Sequence, residues 1–174
     1  MKYFAQIYLA SAIAVFTILH LNIANAQASA DQKTPKIHLV WMGGNDCPPC
    51  VAWRREELPK LEESSEFKSV QFSYVTKVIK SPVPPRIFLP SEVKPLMEKL
   101  DFASNGMAGS PQAALFVNGE IYDYFTGTRS AETILKMITA IKDDKPYPFS
   151  RCIKISRSWG KCETAIKPGF TSNL

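Results

Sequence analysis

The chain has 174 residues, 45% of them apolar, 21% charged and 11% aromatic, with 21 Lys and Arg against 16 Asp and Glu. Those fractions exclude long disorder, collagen-like repeats and a multispan membrane architecture, and the length suits one domain that buries its own core. A net charge of +5 carried on dispersed basic residues speaks against a nucleic-acid partner, and four cysteines are too few for a disulfide scaffold.

Residues 1–26 read as an export signal: Lys2 supplies a positive start, Tyr3 to Ile23 is uncharged and mostly apolar, and Ala24-Asn25-Ala26 offers a small-x-small cleavage site. The alternative is an uncleaved anchor, because the apolar stretch nearly reaches the roughly 20 residues of a spanning helix. Gln6, Ser11, Thr17, His20 and Asn22 dilute the stretch and favour cleavage. Export places the cysteines where disulfides persist and free thiols must be kept reduced.

Residues 27–35 form a polar leader. Ile37 to Met42 is an apolar run the size of a buried strand, broken by Gly43-Gly44-Asn45-Asp46. Cys47-Pro48-Pro49-Cys50 follows, and Val51 to about Phe67 has helical character, with Pro59 expected to kink or break it. Val70–Ile79 alternates as a second strand. Four prolines make Lys80–Pro90 a loop or extended insertion, and Glu92–Leu100 is expected as a short helix. A Gly-rich stretch, Asn105–Pro111, leads into a strand over Gln112–Val117. Asn118-Gly119 then marks a hairpin, with Glu120–Phe125 as the return strand. Ser130 caps a last helix whose apolar face carries Ile134, Leu135, Ile138 and Ile141. This order implies a central mixed sheet with helices on both faces over 36–142, followed by a basic extension, 143–174, with little structure of its own.

Cys47 and Cys50 lie three residues apart at a strand–helix junction, where a small disulfide ring closes with little backbone movement. The helix start places N–H groups and the positive end of the dipole beside Cys47, which favours its thiolate. Cys47 is therefore the expected attacking thiol, facing solvent, and Cys50, one turn in, the shielded resolving thiol. Pro48 and Pro49 lack N–H groups and leave only Cys50 and Val51 as early donors. Asp46 adds a like charge that raises the thiol pKa. Each effect is about 1 kcal/mol. Both destabilise the reduced form, which points to a reductant rather than an oxidant.

With Gly109-Ser110-Pro111 about sixty residues beyond Cys50, and the Asn118-Gly119 hairpin behind it, the chain resembles the exported bacterial branch of the thioredoxin superfamily from Lys36 to Lys142. The resemblance implies a thioredoxin-like three-layer α/β fold and a periplasmic thiol–disulfide oxidoreductase. It implies a cis peptide at Pro111 lying against the C-x-x-C, with the Ser110 backbone pairing with substrate. It also implies recharging by an inner-membrane electron donor. The expected substrate is an exported protein with a disulfide, the expected state a monomer, and no bound cofactor is needed because the dithiol itself carries the electrons. Three features depart from the family: Trp41 stands where a buried acid is usual, six residues before the first cysteine; Asp46 stands where Trp is usual; and the helix proline lies late, at Pro59. The proton acceptor for Cys50 is left unassigned.

Competing readings attach to the same residues. The Cys47/Cys50 pair is alternatively a structural bridge, or half of a zinc site whose other ligands would have to come from His38, Cys152 and Cys162. Haem attachment is excluded, because Val51 stands where His is required. An oxidase or isomerase would use the same residues, and a Cu(I) chaperone or partner-docking adaptor would use the same scaffold. Cys152 and Cys162 are expected to pair as a structural bridge pinning the extension, worth roughly 2–3 kcal/mol, the alternative being a second redox pair. No metal site is expected. His38, Tyr122, Tyr124 and Phe125 read as strand packing, Trp41 and Trp53 as packing beside the motif, and Arg151, Lys154, Arg157, Lys161 and Lys167 as a solvated face.

Overall fold

A computed structural model describes residues 34–158 and 161–166. The expected signal at 1–26, nearly all of the polar leader and Lys167 lie outside them. No helix among the described residues is long and apolar enough to cross a membrane.

The central sheet has the strand order β2-β1-β3-β4. Strand β1 (Ile37–Gly43) is buried along its whole length, as a continuous apolar run in a central position requires. It pairs in parallel with β2 (Gln71–Thr76) and antiparallel with β3 (Gln112–Val117). Strand β4 (Glu120–Thr126) returns antiparallel beside β3. The connecting turn places Asn118 and Gly119 at φ 53° and 83°, the left-handed pair that a two-residue hairpin of this hand needs.

Helix α1 (Pro48–Glu56) begins at the cysteine motif and ends at Glu57, after which α2 (Leu58–Glu63) starts. The break stands two residues before Pro59, whose ring and missing N–H cannot continue α1 but fit the first turn of α2. The helix expected at Glu92–Leu100 is displaced. A single 3-10 turn spans Lys94–Leu96, and α3 runs over Met97–Ser104 to a left-handed cap at Asn105, φ 53°. Pro95 restarts the chain later than the apolar pattern suggests, and no breaker lies between it and Asn105. Helix α4 (Ala131–Lys142) is capped by Ser130, whose Oγ accepts from Thr133 N–H at 3.2 Å.

The apolar side chains form two clusters, one on each face of the sheet. Leu39, Trp41, Ala113 and Leu115 pack with Trp53, Leu61, Ile134 and Ile138 from α1, α2 and α4. Val40, Met42, Ala114 and Phe116 pack with Leu100 and Ala103 of α3 and with Cys152 and Ile155. Three layers result.

The extension carries the expected Cys152–Cys162 bridge and is more ordered than its composition suggested. It folds into an antiparallel hairpin, β5 (Arg151–Ile155) with β6 (Cys162–Ile166), closed by a Cys152–Cys162 disulfide with Cα atoms 5.7 Å apart. Buried Asp123 of β4 holds it: Oδ1 accepts from Cys152 N–H at 2.8 Å, and Oδ2 accepts from the Tyr147 hydroxyl at 2.9 Å. Burial raises the Asp123 carboxyl above the usual carboxylate range, against those hydrogen bonds and Arg129 and Arg151, which lower it. The basic composition suggested a solvated tail; Arg151 is instead buried, with its guanidinium 4.2 Å from the Tyr122 ring centroid.

Candidate functional site

Cys47 is the N-cap of α1 and Pro48 and Pro49 are its first two residues, so the prolines occupy positions whose N–H groups have no helical acceptor. One N–H reaches the Cys47 sulfur: Cys50 donates to Sγ at 3.3 Å and also to the Cys47 carbonyl at 2.9 Å. The Val51 N–H goes to that carbonyl at 3.1 Å instead. Cys47 and Cys50 are joined by a disulfide, with Cα atoms 5.2 Å apart.

Cys47 does not face solvent, and here the sequence-based expectation is corrected. Both cysteines are 0% exposed, while Asn45, Asp46, Pro48 and Pro49 around them are exposed. The reason is the bridge itself. It turns the Cys47 side chain inward toward Cys50, whose sulfur lies beneath the end of β1. A Cβ added at Gly43 would meet Cys50 Sγ at 2.8 Å and the Tyr74 hydroxyl at 3.2 Å. Only glycine permits that approach. Asp46 turns away to the neighbouring segment, its Oδ2 accepting from Ile79 N–H at 2.9 Å.

The Ser110–Pro111 peptide is cis. The β1–β3 register pairs Met42 with Gln112, which puts Pro111 one step beyond, beside Gly43 and hence beside the bridge. Two side chains hold this turn through one carbonyl. Gly109 O accepts from Lys77 Nζ at 2.7 Å and from Gln112 Nε2 at 2.8 Å. Gln112 also donates to Met107 O, and its Oε1 accepts from the Tyr124 hydroxyl at 2.6 Å. Lys77 is 4% exposed, and burial lowers its ammonium pKa to about 8. Ser110 is buried, and its Oγ has no hydrogen-bond partner among the described residues.

Trp41 stacks on Trp53 of α1 with centroids 3.7 Å apart and planes 8° from parallel. Trp53 Nε1 donates to Arg129 O at 2.7 Å, tying α1 to the β4–α4 connection. A groove of about 410 Å³ runs along this junction from Pro49 and Ala52 to Thr128 and Ser130.

His38 lies within the buried strand, as its sequence setting suggested. Its Nε2 is 3.0 Å from Ser73 Oγ, which donates to Glu92 Oε1 at 2.9 Å. Burial lowers the imidazole pKa, and Glu92 opposes that shift. Among the described residues no three of His, Cys, Asp and Glu gather as metal ligands.

Sequence reasoning missed Tyr74, Lys77, Gln112 and Asp123. Tyr74 and Gln112 read as ordinary strand residues. Lys77 carried a weak signal, a charge inside the expected strand Val70–Ile79.

The mixed β2-β1-β3-β4 sheet, its helices on both faces, the C-x-x-C disulfide at the start of α1 and the cis-proline turn opposite define a thioredoxin-like fold with a disulfide-linked C-terminal extension. No protein-family model and no curated protein matches the chain. Among solved structures it is similar to a thioredoxin-fold protein from Helicobacter pylori, with 16% identity and a TM-score of 0.40 over 62% of this chain and 70% of that one.

Proposed function

We propose that the protein is an exported thiol–disulfide oxidoreductase that reduces protein disulfides in the periplasm. The observation that carries this reading is the Cys47–Cys50 disulfide at the N-cap of α1, with the cis Ser110–Pro111 turn beside it in the β1–β3 register. In the reduced protein the Cys47 thiolate attacks a substrate disulfide. A mixed disulfide forms and one substrate thiolate leaves. Cys50 then gives up its proton and attacks the Cys47 sulfur, releasing the second substrate thiolate and closing the 47–50 bridge. Two electrons pass to the substrate, whose two departing thiolates take up one proton from Cys50 and one from solvent. Pro111 and the Ser110 backbone position the substrate chain.

The direction follows from the helix start. Pro48 and Pro49 withhold two N–H groups from the Cys47 sulfur, leaving that of Cys50, so the thiolate is weakly stabilised and the reduced protein gives up electrons readily. The dithiol needs no bound cofactor. A monomer working outside the cytoplasm draws its electrons from a donor at the inner membrane.

The burial of both sulfurs favours a second reading, a permanent staple that closes the first turn of α1. One experiment separates the two. Insulin reduction is followed with dithiothreitol as electron source, for the wild type and for Cys47→Ser, alongside equilibration of the pair with glutathione. Turnover lost in Cys47→Ser supports the oxidoreductase. No turnover, with a bridge that glutathione leaves closed at potentials below about −300 mV, supports the staple. A potential near −120 mV would reverse the proposed direction.

A further inference from the structure

We propose that the Tyr74 hydroxyl is the hydrogen-bond donor that receives the Cys50 sulfur when the 47–50 bridge opens. This inference rests on the oxidoreductase reading and deepens it.

Three observations place the hydroxyl there. The point at which a Gly43 side chain would begin is 2.8 Å from Cys50 Sγ and 3.2 Å from Tyr74 Oη, so the absent side chain leaves sulfur and phenol both bordering one small space. The hydroxyl is buried with no hydrogen-bond partner among the described residues. The ring is held from the other side: the Arg54 guanidinium, whose Nη2 donates to Asn45 Oδ1 at 2.7 Å, lies 5.2 Å from its centroid.

A buried hydroxyl left without a partner is costly, and a thioether-like disulfide sulfur is a poor acceptor. A thiolate is a strong one. The orphan hydroxyl therefore penalises the oxidised protein, and its hydrogen bond to sulfur stabilises the reduced one. Burial raises the Tyr74 pKa, so the phenol keeps its proton and acts as a donor rather than a base. Cys50 loses its own proton to solvent or to the departing substrate thiolate. Tyr74 lowers the energy of the Cys50 thiolate formed as the bond to Cys47 breaks or before it re-forms, and is itself unchanged at the end of each cycle.

The test is Tyr74→Phe, which keeps the ring beneath Arg54 and removes only the oxygen. In a Cys47→Ser background, ultraviolet absorbance of the Cys50 thiolate is titrated with and without Tyr74→Phe. The titration is expected to move up by about one pH unit on loss of the oxygen. With both cysteines present, Tyr74→Phe is expected to favour the closed bridge about tenfold in equilibrium with dithiothreitol, about 30 mV toward the reducing side, and to slow resolution of a mixed disulfide at neutral pH. An unmoved titration together with an unmoved equilibrium constant overturns the proposal, as does a shift toward the oxidising side. If the wild type fails to turn over insulin, the functional reading falls first. If the wild type turns over and Tyr74→Phe matches it in all three measurements, the role of Tyr74 alone falls.

Discussion

Lys77 has the least expected environment of any side chain near the site. Its ammonium is buried and donates to the Gly109 carbonyl, with no carboxylate among its hydrogen-bond partners in the described residues. Desolvation disfavours the charged form and brings its pKa from 10.5 to about 8. The unfolded chain keeps the ordinary value, so between the two the unfolded state binds more protons and stability rises with pH. Urea unfolding of the oxidised protein between pH 8 and about 9.5, below the range where unfolded tyrosines ionise, is expected to gain stability at a slope approaching 1.4 kcal/mol per pH unit. Lys77→Met is expected to flatten it. Gly44 is constrained in a different way: a Cβ there would lie 2.2 Å from the Lys77 carbonyl, so glycine lets the loop before Cys47 pass against the end of β2. Nothing in the local pattern announces either contact, because each depends on residues more than thirty positions apart.

Among the elements, α1 and the Asn118-Gly119 hairpin were legible in advance because the residues that make them are neighbours in the chain. Prolines at the first two helical positions, a proline ending the helix and a left-handed pair between two apolar runs all act locally. The β5–β6 hairpin was not legible. Its strands are short and partly exposed, and what orders it is a carboxylate on β4 together with a disulfide. Replacing both Cys152 and Cys162 by Ser opens a loop spanning a sequence separation of 10. That is expected to lower the free energy of unfolding by about 2–3 kcal/mol in urea. Insulin reduction should persist, because Asp123 still accepts from Cys152 N–H and the 47–50 pair is untouched. A fall in turnover matching that of Cys47→Ser would instead make 152–162 part of the electron path.

For the molecule as a unit, redox direction and folding are one equilibrium. A bridge that resists reduction is one that the native fold stabilises, so a reductant is more stable oxidised than reduced, whereas a strong oxidant is more stable reduced. With the 152–162 bridge removed by substitution, the 47–50 oxidised protein is expected to unfold at higher urea than its reduced form. The reverse order would assign it to oxidation. The site is closed in the oxidised protein: both cysteines are fully buried, while the rest of the Asn45–Pro49 segment is exposed. Asp46, bonded to Ile79 N–H, ties that segment to the proline-rich loop.

The primary structure alone was enough for the chemistry on offer and its place in the chain order: two thiols at a helix start, a proline before a strand, a capped last helix. Those depend on spacing and on side chains acting on their own backbone. Folding in three dimensions settled the burial of the sulfurs, the approach of the Tyr74 phenol to Gly43, the Lys77 clamp on Gly109 and the Asp123 anchor of the final hairpin. Each needs side chains from distant segments to meet in a place that water has left, and dielectric and hydrogen-bond balance there are properties of the assembled interior, with no counterpart in any local run of residues.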